Sequence, residues 1–163
     1  MRSKQYGFSL IELLIVVAVI LIVVAMAIPN LLRSRMAANE ASAVGSLRSI
    51  NTSQAVYQSS YGPGFASTLL ELSDGGSAAN CVPPALPSAT SACLTDSVLA
   101  GGKKSGYNFT YLPVAANGIV GSYAVNADPV TSGGSGRRHF FTDQTIVIRV
   151  NDTAVAANSD PPI

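Results

Sequence analysis

Residues 8–28 read FSLIELLIVVAVILIVVAMAI, an unbroken apolar run whose single charge is Glu12. At 1.5 Å per residue such a run spans about 31 Å as a helix, close to the hydrocarbon thickness of a bilayer. A carboxylate inside an apolar membrane helix costs on the order of 2.5–3.5 kcal/mol, so Glu12 asks for a functional reason. Arg2 and Lys4 precede the run and Arg33 and Arg35 follow it. Two positive charges on each side leave orientation undecided by the positive-inside rule. No second run of this kind follows, so the chain is expected to span a membrane once at most.

Three readings compete for the segment. Ala25-Met26-Ala27 fits the small-x-small pattern of a secretory cleavage site. Against that reading, the run is longer than an ordinary signal core and holds an acid. A plain membrane anchor explains the length but not Glu12. The third reading takes the junction as a whole. Gly7-Phe8-Ser9-Leu10-Ile11-Glu12-Leu13-Leu14, behind a short basic leader and ahead of Pro29, resembles the class III signal of type IV pilins and the related pseudopilins. An acid five residues into a chain that begins at a Gly-Phe junction is a specific feature.

The resemblance covers residues 1 to 60 directly, and it implies a processing route. A prepilin peptidase cuts after Gly7 and methylates the new amine of Phe8. Residues 1–7 are then the leader, 8–29 the transmembrane and assembly helix, 30–61 an amphipathic helical half, and 62–163 a globular β-rich region. The implied fold is α+β, the pilin fold: a long N-terminal helix whose far half packs on a four-stranded antiparallel sheet. The implied partners are identical subunits in a helical homopolymer, the prepilin peptidase and an inner-membrane assembly platform. The location follows: the bacterial inner membrane before assembly, and an extracellular or periplasm-facing filament afterwards. Glu12 takes the assembly role in that family.

Pro29 has no N–H to donate and crowds the preceding turn, so it marks a kink. The helix is expected to continue, because residues 30–61 contain no further Pro and only Gly45. Val44, Leu47, Ile50, Tyr57 and Tyr61 fall on one apolar arc, with Ser42, Ser46, Ser49 and Ser53 opposite. Glu40, Asn51 and Gln54 spoil that arc. Tyr61-Gly62-Pro63-Gly64 is a stop signal. Ser67–Ser73 suggests a short helix capped by Ser67 or Thr68, with Glu71 near its start.

Four strands are predicted, over 107–112, 119–127, 138–142 and 145–150. Asn117-Gly118 turns the first pair. Residues 151–163 read as a polar tail. Cys81 and Cys93 in an exported chain read as a disulfide, worth roughly 3 kcal/mol by loop-closure arithmetic.

Composition limits the chemistry. The 163 residues carry 12% charge, a formal net charge of +1, one His and no Trp. Two Cys and His139 cannot build a four-ligand zinc site, and the charge gives no general sign of nucleic-acid binding. Gly101-Gly102-Lys103-Lys104-Ser105 lacks the glycine spacing of a phosphate loop. Arg137, Arg138 and His139 read as a solvated strand end. Asp128, Asp143 and Asp152 are too scattered in sequence for a calcium loop. No catalytic, cofactor-binding or metal residue is expected. A structural filament subunit is therefore the first reading. A major pseudopilin of type II secretion is the second, and a membrane-anchored extracytoplasmic binding protein the third.

Overall fold

The computed structural model describes residues 8–163, so Gly7, Arg2 and Lys4 lie outside the described residues. Helix α1 runs from Leu10 to Tyr61, 52 residues, with Pro29 inside it. Gly62, with φ 137°, ends it as the stop signal requires. Two short helices, α2 (Leu69–Leu72) and α3 (Ser97–Ala100), precede the strands. The described residues divide into two compact units after Arg35.

In the second unit the far half of α1 packs on a five-stranded antiparallel sheet of order β1-β2-β3-β4-β5. The strands are β1 (Lys103–Lys104), β2 (Tyr107–Ala116), β3 (Ile119–Pro129), β4 (His139–Asp143) and β5 (Arg149–Asn151). The predicted count of four is corrected by β1, which pairs Lys103 with Asn108 and Lys104 with Tyr107. Nothing apolar alternates in Gly-Gly-Lys-Lys, so periodicity could not reveal it. Its turn uses Ser105 and Gly106, both left-handed, as a two-residue hairpin requires. Asn117 and Gly118 do the same between β2 and β3.

The fourth predicted strand, 145–150, is also corrected. Residues 144–148 form a turn and irregular chain, and β5 begins only at Arg149. The predicted tail is corrected too. Val150 N–H donates to Pro161 O, Ile163 N–H to Ile148 O, and Ala156 is buried. Asp160 fixes that return, taking Asn151 Nδ2 and the Ala157 N–H on its two carboxylate oxygens. Polar composition hid it, because the segment is held by backbone and carboxylate bonds rather than by an apolar face.

The core stripe of α1 is Glu40, Ala43, Leu47, Ile50 and Gln54, a 3-4-3-4 spacing that puts one face on the sheet. The expected arc is therefore rotated. Ser46 and Ser53 are buried rather than opposite the core, and Val44, Tyr57 and Tyr61 are half-buried. The reason is that the three residues that spoiled the arc have partners on the sheet side. Asn51 Nδ2 donates to Thr142 Oγ1 at 2.8 Å, and Tyr123 OH donates to Asn51 Oδ1 at 3.0 Å. Gln54 Nε2 donates to Tyr111 OH at 2.8 Å, and Gln54 Oε1 accepts the Ala66 N–H at 2.9 Å. Ser53 Oγ donates to Leu94 O and accepts from Thr95 Oγ1. Buried polar groups with such partners act as interior residues.

Around the stripe lie Leu69, Leu72, Leu99, Tyr107, Phe109, Tyr123, Val125 and Phe140. Gly136 is fixed by this packing: a Cβ there would overlap the ring and hydroxyl of Tyr107. Thr68 caps α2, its Oγ1 accepting the Glu71 N–H, while the Glu71 carboxylate takes the Ser67 N–H and hydroxyl. The expected capping interaction thus uses both candidate residues, with Thr68 as the cap.

Candidate functional site

The first unit is built from residues that repel water, many of them Val and Ile. Large apolar side chains from Phe8 to Leu32 are all exposed, from Val24 at 41% to Leu10 at 81%. Nothing among the described residues covers them. By length and composition the helix can cross a membrane, which accounts for an uncovered apolar surface on a folded chain.

Glu12 lies in the first turn of α1, where the helix dipole favours an acid. Leu13 N–H donates to Ser9 O at 3.2 Å, and Ser9 N–H donates to Glu12 Oε2 at 3.5 Å. Ser9 thus stands where a cap stands, and Glu12 reaches back from three residues on. Ser-x-x-Glu spacing in the sequence carries that signal, and it adds a local donor for a carboxylate otherwise surrounded by apolar residues. Pro29 cannot donate to the Ala25 carbonyl, yet α1 continues on both sides of it.

In the second unit, Cys81 and Cys93 are joined by a disulfide with Cα atoms 5.7 Å apart. The bridge ties the loop to α2, because Ala92, Cys93 and Leu94 N–H groups donate to Glu71, Ser73 and Leu72 carbonyls. Arg137, Arg138 and His139 do not form a free basic patch. Arg138 Nε donates to Glu40 Oε2 at 2.8 Å and its guanidinium lies 5.5 Å from the Phe140 ring centroid. His139 Nδ1 lies 2.6 Å from Asp128 Oδ1. Burial pushes the Glu40 carboxyl up, but the N–H groups of Arg137 and Arg138 and the Arg138 guanidinium outweigh it and hold the carboxyl below its ordinary range.

Glu40, Arg137, Arg138 and Asp152 line a cavity of about 250 Å³, with both signs of charge on its wall. Burial also raises the phenols of Tyr107, Tyr111 and Tyr123, the last to about 12. All three are therefore neutral donors, to Arg138 O, Ala66 O and Asn51 Oδ1 respectively. Asp128 and Asp143 are spent on His139 and Thr145. Lys104 pairs with Asp96 at 2.8 Å, so part of the glycine-lysine segment is a salt-bridged turn. Asn51, the first residue of a glycosylation-type triplet, is buried with its amide in use.

Residues 2–28 match the family model described as the prokaryotic N-terminal methylation motif, the class III signal of type IV pilins and pseudopilins. No curated protein and no solved structure matches the chain.

Proposed function

We propose that this chain is a structural subunit, not an enzyme, of a type IV pilus-like filament, made as a precursor and assembled through its N-terminal helix. The observation that carries the reading is the coincidence of a methylation motif with an apolar helix that the described residues leave uncovered. Prepilin peptidase cuts between Gly7 and Phe8 and methylates Phe8. Loss of Arg2 and Lys4 takes the formal charge from +1 to −1 before the new amine is counted. The subunit waits in the inner membrane on one span. At the assembly platform the helix then leaves lipid for a bundle of identical helices. That exchange carries little hydrophobic penalty, because one apolar surrounding replaces another.

Cleavage creates a positive amine, and a buried carboxylate is tolerated only near such a charge. In the filament Glu12 pairs with the amine of a neighbouring subunit and so sets the register of each incoming copy. Intact mass of purified protein tests the processing step: a methylated chain beginning at Phe8 is expected, and a chain beginning at Met1 or Ile28 overturns the reading. Imaging of surface fibres with and without the protein tests assembly. Loss of exported enzymes on deletion, without loss of surface fibres, points instead to a pseudopilin.

A further inference from the structure

The loop between β4 and β5 holds a backbone outlier that the fold itself does not require. Ile146 N–H donates to Asp143 O at 2.9 Å, and Asp143 Oδ1 accepts the Thr145 N–H at 2.9 Å, closing a tight turn. The residue that completes it, Ile146, has φ 66°. That conformation belongs to glycine, or to Asn and Asp, and is a genuine outlier for a β-branched residue. Ser105, Asn117 and Cys93 adopt it too, but the first two each lead into a glycine in a hairpin turn and Cys93 is tied to Cys81, and none of the three is β-branched. Ile146 gains nothing in return within the subunit, since it is 58% exposed. Beside it Val147 and Ile163 are 37% and 54% exposed. With Arg48 and Thr52 of α1 and Pro162 they line an open groove of about 490 Å³.

We propose that this groove is a contact between copies of the chain, in which Ile146, Val147 and Ile163 are buried against a neighbouring subunit. The proposal rests on the filament reading and adds to it a head-domain surface and a residue. Charge favours a second copy as the occupant. Arg48 is the one charged side chain in the groove and has no carboxylate within salt-bridge distance among the described residues. The carboxylate of Asp74, on a different part of the domain, likewise has no basic partner among them and accepts only the Gly76 N–H. One chain thus carries an apolar, positively rimmed groove and a separate free carboxylate. Surfaces that differ in this way meet head to tail, and head-to-tail contacts that do not close propagate as helical filaments. Strained residues persist where the strained geometry is used, and here the use is burial in the assembled state.

Two variants test it, Ile146→Gly and Ile146→Asn, each expressed as the only copy. Thermal unfolding is followed on the full processed chain in detergent, and sheared fibres are quantified from cells. Ile146→Gly is expected to raise the unfolding midpoint by about 3 °C, because the strain is relieved. It is expected to cut fibre yield at least about fivefold, the loss typical of an interface anchor. Ile146→Asn, which tolerates the left-handed conformation, is expected to keep the midpoint and lose fibres similarly. Wild-type fibre yield from both variants overturns the proposal while leaving the filament reading intact. A lower midpoint together with fewer fibres from both also overturns it, since Ile146 is then an ordinary folding residue. Absence of fibres from the wild-type chain overturns the filament reading, and the proposal with it.

Discussion

The two halves of α1 reverse the usual rule. From Leu13 to Arg35 the only charges are Arg33 and Arg35, and the large apolar side chains there are exposed. From Glu40 to Tyr61 the helix is far more polar, yet it buries Glu40, Ser46, Asn51, Ser53 and Gln54. Hydrophobicity alone therefore does not say which half is inside. The first half is matched to a surrounding that the chain does not supply, lipid or other copies. The second half is matched to particular groups on the sheet, so its polar residues set the helix's rotation and position. An apolar stripe could slide or turn with little penalty, whereas Asn51 and Gln54 lose their partners if it does.

The sharpest way to break this contrast is to make one substitution in both halves. Leu47 is fully buried and Leu21 is 62% exposed. Leu47→Ala should cost about 3 kcal/mol in unfolding of the second unit. Leu21→Ala should stay within about 0.5 kcal/mol in detergent. Thermal melts of the full chain by circular dichroism measure both, and equal effects would end the distinction. Reduction of Cys81–Cys93 should cost roughly 3 kcal/mol or somewhat less, from the loop it closes. Two reactive thiols in the native chain before reductant would contradict this.

Smaller effects probe the polar contacts. Gln54→Leu leaves the Ala66 N–H without its acceptor and should cost about 2 kcal/mol, read as a shift in denaturant midpoint at unchanged slope. Glu40→Gln weakens the contacts to Arg137 and Arg138 and should cost about 1 kcal/mol at neutral pH. Its pH signature is the better reporter. The folded carboxyl is held below its ordinary 4.5. Its contribution is therefore full above that value and lost as pH falls through the lower folded value. Wild-type stability should drop more steeply than that of Glu40→Gln in this acid window. A residual slope remains from Asp96, where burial is likewise outweighed by Lys104 and the Leu99 N–H.

Much of the architecture was legible because it rests on local signals. The long apolar run, Gly62 after Tyr61, and Asn117-Gly118 between alternating strands each act within a few residues. So did the cysteine pair, which needs only proximity and an exported setting. Three features were not legible for the opposite reason. β1 is two lysines whose pairing depends on β2. The C-terminal return is held by Asp160 and backbone bonds, which leave no periodic trace. The rotation of α1 depends on partners for Glu40, Asn51 and Gln54 that lie 57 to 98 residues away, or 12 in the case of Ala66. At the chain start the sequence placed Glu12 in an apolar helix. Its reach to Ser9 was visible only as Ser-x-x-Glu spacing.

The central claim is that the uncovered half of α1 is completed by other copies, with Glu12 setting their register. Glu12→Val, expressed as the only copy, tests it most directly, because valine suits the apolar run and removes the charge together with the contact to the Ser9 N–H. Membrane insertion and the Phe8 N-terminus should persist, as checked by fractionation and intact mass, while sheared fibres fall to a small fraction of wild type. Fibres in normal number and length from Glu12→Val would contradict the account.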